Sequence, residues 1–266
     1  MQKLKFGLEV EGAYLRRKDF DIVKRKLVKE GREINIIKNY DGTAQLGDCH
    51  HNRGDYEEEL EFKTNIPVKD KGVKIENHIK DWEVLLEELG FVYNPLNCGL
   101  HIHFSPIDGN WEDEHFLRFI HNLFYSLLPF IRFFKNRREQ SYCLSNGDYT
   151  RIQRFYSEEL NYCNTRQDLL QRWNNITGSG DSDYVFSSSD IMRLVNREFD
   201  TVELRFFPPE PDLFKVFMNL IRKVWSKTEK ISAGYLTSLS LYDILVLYNM
   251  EEELPKFKKY YEEWIK

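Results

Sequence analysis

Two-residue alternation in four short segments constrains this chain more than any other feature. In KLKFGLEVE (residues 3–11), Phe6, Leu8 and Val10 alternate with polar and ionisable residues. YEEELEFKT (Tyr56–Thr64), CGLHIHFS (residues 98–105) and TVELRFF (Thr201–Phe207) carry the same pattern. Side chains two positions apart on a strand share a face and stand roughly 6.6 Å apart. Each segment therefore reads as a strand with one apolar face and one ionisable face. The ionisable faces carry Glu9 and Glu11, Glu59 and Glu61, His101 and His103, and Glu203 with Arg205. One E-x-E pair alone is usually the solvent face of an antiparallel sheet, and Arg205 could equally be a surface partner of Glu203. Four pairs together are harder to dismiss. If these strands share a sheet, the pairs converge on one concave surface. A crowd of carboxylates on a half-buried surface persists only with a cation or with water around it. Oxygen-rich donors with one or two imidazoles suit Mg2+ or Mn2+ better than zinc.

The remaining segments set the fold class. Residues 19–29 are amphipathic and read as a helix; 33–38 read as a short strand leading into the turn signal Tyr40-Asp41-Gly42. Residues 74–89 read as a helix ending at Gly90, and 112–138 as a long helix packed across a sheet. Residues 141–148 and 177–190 are loop-like, helices are expected over about 150–175, and the chain from Leu213 onward reads as helical. Strands fall before or between helices without regular βαβ spacing. This predicts an α+β fold, a curved antiparallel sheet with helices packed on one face and the other face open. With no Pro- or Gly-rich linker, residues 1–266 are expected as a single catalytic domain, with a motif-bearing core over about 6–207 and a helical part over 208–266.

Bulk properties exclude several function classes. A net charge of −5 supplies no overall field for nucleic acid or an anionic membrane, so neither partner is expected. No apolar run approaches the length of a membrane span. Acids stand near the first residue where a signal peptide needs an apolar run, and the four cysteines form no CxxC pair. Reduced thiols and a cytoplasmic location are expected. There is no GxxxxGK[ST] and no GxGxxG after a strand, so a nucleotide would be held through cations and arginines. The loop cluster Asp48, Cys49, His50 and His51 is a weaker ligand candidate, and His78, His115 and His121 read as structural residues of helices. Lys135, Arg137 and Arg138 close a predicted helix, where they either complement its dipole or contact phosphate.

The ordered motifs GLEVEG, DGT, EFKTNIP, CGLHIHFS, RLVN and TVELRFF resemble the amidoligase family, compact relatives of glutamine synthetase and glutamate–cysteine ligase. The family reads approximately G-x-E-x-E, D-G-S, E-[hydrophobic]-x-[ST]-x-P, G-x-H-x-H, then R-x-x-N and x-E-x-R. The resemblance runs from about Phe6 to Phe207. It implies a glutamine synthetase-like catalytic fold and an ATP- and Mg2+-dependent (or Mn2+-dependent) carboxylate–amine ligase. By resemblance, Glu9, His101 and Glu203 correspond to ligands of one metal ion. Glu11 and Glu61 correspond to ligands of another, with Glu59 as a helper that could exchange roles with Glu61. His103 corresponds to a histidine beside the nucleotide phosphates, and Arg205 and Arg193 to arginines on phosphate and substrate carboxylate. Asn196 accompanies Arg193, Asp41 matches the D-G-S aspartate, and residues 140–142 with Arg137 or Arg138 resemble an element near the substrate. Thr43 stands where the family has serine, and HHNRGDYEE lengthens the path from Asp41 to Glu61.

The implied chemistry phosphorylates a carboxylate with ATP and lets an amine displace phosphate from the acyl phosphate, leaving an amide or peptide bond. Two divalent ions and arginines would neutralise charge around the terminal phosphate, Asp41 is the nominee for general base, and 177–190 is a candidate lid. Small-molecule or peptide carboxylates and amines are the expected substrates, and an oligomer formed through the aromatic C-terminal helices is open. A two-metal phosphohydrolase, or a nucleotide-binding or structural protein without ligase chemistry, would use the same strand faces differently.

Overall fold

A computed structural model describes residues 3–40, 55–69, 73–94, 98–134, 158, 160–177, 192–196 and 201–264. The chain divides into two compact units. One comprises Gln2–Ile107 with Phe207–Lys215, the other Asp108–Phe206 with Val216–Lys266.

The first unit is built on β1 (Leu4–Leu15). Its neighbours are β3 (Tyr56–Thr64) on one edge and β5 (Leu100–Pro106) on the other, and β2 (Ile36–Tyr40) lies outside β3; every pairing is antiparallel. A two-residue strand, β4 (Val68–Lys69), continues along the edge of β1 where β3 leaves it. At that junction the Leu8 backbone N–H donates to Thr64 Oγ1 at 2.9 Å, so a side chain fills the gap in the ladder. Alternation then does what the sequence implies. Leu8 and Val10, Phe62, and Leu100, Ile102 and Phe104 are all buried on one face.

Two helices cover that face. In α1 (Phe20–Lys29), Asp19 caps the N-terminus by accepting from the Ile22 backbone N–H, and Phe20, Val23 and Leu27 turn inward at helical spacing. In α2 (Val73–Leu89), Ile75, Ile79, Trp82, Leu85, Leu86 and Leu89 are buried. Fully burying one such side chain contributes about 1.5–3 kcal/mol. Phe62 sits at the centre, with the rings of Phe20, Tyr14 and Phe91 about it at centroid distances of 5.8, 6.1 and 6.1 Å. Helix α2 stops as expected at Gly90, whose φ of 65° closes a Schellman turn: the Phe91 N–H reaches the Leu86 carbonyl and the Gly90 N–H the Glu87 carbonyl.

In the second unit, α3 (Asp113–Phe133) is buried without interruption from Asn122 to Ile131, the mark of a helix surrounded by other elements. It packs against α4 (Arg166–Thr177) and, further along the chain, α6 (Ala233–Leu236) and α7 (Leu241–Leu247). Buried Asn122 donates both amide hydrogens to the Thr228 and Ile231 carbonyls, which follow α5 (Pro211–Lys227). Phe130 and Phe134 join Phe217 and Phe257, the last on α8 (Leu254–Trp264). Tyr260 of α8 is buried, and Tyr261 is exposed. Strands β6 (Met192–Asn196) and β7 (Thr201–Phe207) pair antiparallel in this unit, with the final residue of β7 counted in the first. The architecture is mixed helix and antiparallel sheet.

Candidate functional site

Strand register brings the acidic and imidazole side chains of the first unit together. Glu9 is flanked by Lys63 across the β1–β3 pair and by His101 across the β1–β5 pair, while Glu11 stands opposite Glu61 and Gly7 opposite His103. One row thus reads Lys63, Glu9, His101, and the next contains Glu61 and Glu11. Cross-strand neighbours have Cβ atoms about 4.5–5.5 Å apart, so contact among these groups follows from pairing alone.

Carboxylate and imidazole atoms of Glu9, Glu61 and His101 lie within 4.8 Å of one another. His101 bridges two acids, with Nδ1 3.1 Å from Glu9 Oε2 and Nε2 3.3 Å from Glu11 Oε1. His103 Nε2 approaches Glu9 Oε1 at 3.2 Å. Glu11 is fixed at its other oxygen, where Oε2 accepts the Gly99 backbone N–H at 2.6 Å. Gly99 is confined by the same pair: a Cβ there would lie 3.1 Å from His101 Nε2 and 3.2 Å from Glu11 Oε2. Lys63 Nζ stands 2.7 Å from Glu61 Oε2 and 3.4 Å from Glu9 Oε1.

Charge is unevenly shared across this cluster. Burial pushes Glu9 upward, but hydrogen bonds and charge from His101 and His103 outweigh it and hold the carboxyl well below the ordinary range. Glu61 goes the other way. Burial and the nearby Glu9 charge push it up to about 7 against the pull of Lys63. Burial acts to lower the Lys63 pKa, but Glu61 and Glu9 overcome it and raise the ammonium above its ordinary value. Two adjacent carboxyls with opposite shifts are typical of a site where charge is concentrated. Two carboxylates and one imidazole converging on a small space are a donor set that could hold a hard divalent cation.

The other sequence candidates lie as follows. Glu203 is buried on β7, with Oε1 3.5 Å from Arg205 Nε. Across the β6–β7 pair, Arg193 stands opposite Glu203 and Asn196 opposite Thr201, with a register shift between them. These belong to the second unit. Glu59 lies on β3 where two residues oppose Ala13 of β1, because Gly12 pairs with Leu60 but Tyr14 with Glu57. This bulge interrupts the alternation used to place Glu59 beside Glu61. The side chains of Glu59, Arg193 and Asn196 lie outside the described residues, as do Asp41, residues 48–51, Arg137, Arg138, 141–148 and 178–190. His78 is buried away from the cluster between Thr64 and Trp82. His115 packs on Trp225 and pairs with Glu229, and His121 lies beside Tyr125.

Lys63 was not among the sequence candidates. The spacing held the signal, since Lys63 follows Glu61 by two and so shares its face, but a lysine on a strand reads first as solvation.

A family model described as putative amidoligase enzyme matches residues 44–225, more than half of the chain. The protein belongs to the amidoligase family, an assignment that points to a ligase-type, amide-bond-forming enzyme. The matched region contains β3, the H-x-H strand and the β6–β7 hairpin; β1, with Glu9 and Glu11, precedes it. No curated protein and no solved structure matches the chain.

Proposed function

We propose that this enzyme is an ATP-dependent carboxylate–amine ligase of glutamine synthetase-like descent, acting through an acyl phosphate. The observation that carries the reading is the meeting of Glu9, Glu61 and His101 on adjacent strands of an amidoligase. A carboxylate is a poor electrophile, and its phosphorylation requires negative charge to be neutralised around a terminal phosphate. The donor chemistry fits Mg2+ or Mn2+, and Lys63 already stands in as a cation between Glu61 and Glu9. A bound divalent ion would supply that neutralisation, and Glu9, Glu61 and His101 would hold it; the family resemblance assigns Glu203 to an ion shared with Glu9 and His101, and Glu11 to a second ion shared with Glu61.

The substrate carboxylate oxygen attacks the terminal phosphorus of ATP, and ADP leaves. The amine nitrogen attacks the acyl carbon, inorganic phosphate leaves, and the surplus proton passes to a base, for which Asp41 is the nominee. Arg205 and Arg193, with Asn196 beside the latter, are assigned to the phosphate and the substrate carboxylate. His103, Arg137 and Arg138 are assigned to the nucleotide.

ADP release is the discriminating measurement, screened against panels of amino acids, peptides and amines with Mg2+ or with chelator. A ligase releases ADP only when acid, amine and cation are all present. His101→Ala and Glu203→Ala should each lower that rate by about a hundredfold or more, as expected for loss of electrostatic transition-state stabilisation. Hydrolysis of a phosphoester without ATP, or metal-dependent ATP binding untouched in both variants, would contradict the assignment.

A further inference from the structure

We infer that Lys63 is a tethered counter-ion that competes with the divalent cation, so that cation binding must expel its ammonium group from the acidic cluster. The inference rests on the proposed cation site and adds an element that the family motif does not contain. Its basis is position. Lys63 Nζ lies 2.7 Å from Glu61 Oε2 and 3.4 Å from Glu9 Oε1, and these two residues, with His101, supply the converging donors. The ammonium is thus directed at the same two carboxyl groups that a cation would use.

Strand register sets the base of this placement. Lys63 pairs in register with Glu9 and shares a strand face with Glu61. Glu9, Glu11 and Glu61 are all close to buried, with side-chain exposures of 12%, 10% and 11%. Three carboxylates so placed repel one another and resist desolvation, and a lysine on the central row offsets part of that cost. A divalent ion between Glu9 and Glu61 would do so more strongly, but it would meet a positive charge a few ångströms away. Repulsion at that distance is large in a partly buried site. Lys63 can yield because its side chain is 29% exposed and carries a flexible four-carbon stem. Glu9, held by His101 and His103, and Glu11, held by the Gly99 N–H, are much less free to move.

The consequence is a threshold. Part of the intrinsic cation affinity is spent displacing Lys63, and removing the lysine charge should release it. Mn2+ is the probe, with affinity read by titration calorimetry or by the free-ion EPR signal and thermal midpoints read with and without the ion. Lys63→Met should bind Mn2+ about tenfold more tightly than wild type. Its metal-free form should melt earlier than wild type, and saturating Mn2+ should raise its midpoint by more. Lys63→Arg, which keeps the charge, should stay close to wild-type affinity. Lys63→Gln, which keeps a hydrogen-bond donor beside Glu61, serves if the Met variant does not fold without metal; it too should bind more tightly. Unchanged or weaker Mn2+ binding in Lys63→Met or Lys63→Gln, with lower stability both with and without the ion, would make Lys63 merely structural and overturn the inference. Failure of the wild-type protein to bind Mn2+ at all would instead overturn the cation-site reading beneath it.

Discussion

His78 shows how far a single buried titratable group can set the behaviour of its surroundings. Its Nε2 accepts from Trp82 Nε1 at 3.1 Å and faces Thr64 Oγ1 at 3.1 Å, the same hydroxyl oxygen that accepts the Leu8 backbone N–H. These partners require Nε2 to be the bare nitrogen. Burial pushes the imidazole down to about 4, so the folded protein resists its protonation. The sign follows from which state takes the proton first. Above about pH 6.5 the ring is neutral in both folded and unfolded chains and pH has no effect through it. As pH falls from about 6.5 toward 4, the unfolded chain binds a proton that the folded one refuses, and stability is lost. Between pH 7 and 5 the loss is about 2 kcal/mol. His78→Gln retains an acceptor for Trp82 and does not titrate. Its urea-unfolding free energy should therefore fall less than that of wild type over this interval; equal slopes would contradict the assignment.

Among the elements, β1 depends most on a close approach. Ala13 exchanges backbone hydrogen bonds with Val92 at 2.9 Å in both directions, which brings the chain after α2 directly onto Gly12. A Cβ at Gly12 would lie 2.4 Å from the Phe91 ring and 2.8 Å from the Val92 carbonyl oxygen. Backbone cannot give way as a side-chain tip can, so Gly12→Ala should cost about 1–3 kcal/mol in urea unfolding; a variant as stable as wild type would show that the approach is slack. This restraint was not legible in the sequence, where GAYL breaks the alternation that ends at Glu11. The β1 strand nevertheless runs on to Leu15. Tyr56–Thr64 and Thr201–Phe207 were legible to the residue because Leu60 and Phe62, and Val202, Leu204 and Phe206, alternate with charged residues and a turn or a Pro-Pro pair ends each run. Strand β4 is too short to show a period, and so is the five-residue β6 that carries RLVN. The bulge beside Glu59 could not be read at all, because register belongs to two strands and the sequence displays one at a time. The converse holds for Glu9, Glu61 and His101, whose common face followed from parity within each strand, although their adjacency waited on the order β3-β1-β5.

For the whole molecule, the unequal distribution of candidate donors gives cation binding a location as well as a magnitude. Glu9, Glu11, Glu61, Lys63 and His101 all belong to the unit formed by Gln2–Ile107 with Phe207–Lys215, on strands that are neighbours in one antiparallel ladder. A ligand that binds only the folded state stabilises it by mass action, about 2.7 kcal/mol at one hundred times its dissociation constant. That free energy enters first where the ligand's partners are, and local opening reports it more finely than global melting. Saturating Mn2+ should therefore slow amide exchange in β1, β3 and β5 by about a hundredfold for amides that exchange through opening of this ladder, and chelation should reverse the effect. Amides of α7 and α8, helices of the second unit with none of these donors, supply the internal control and should change much less. Protection that rose equally in α7, α8 and the strands would mean that the cation acts on global stability alone. Protection confined to α7 and α8 would place it away from Glu9, Glu61 and His101 altogether.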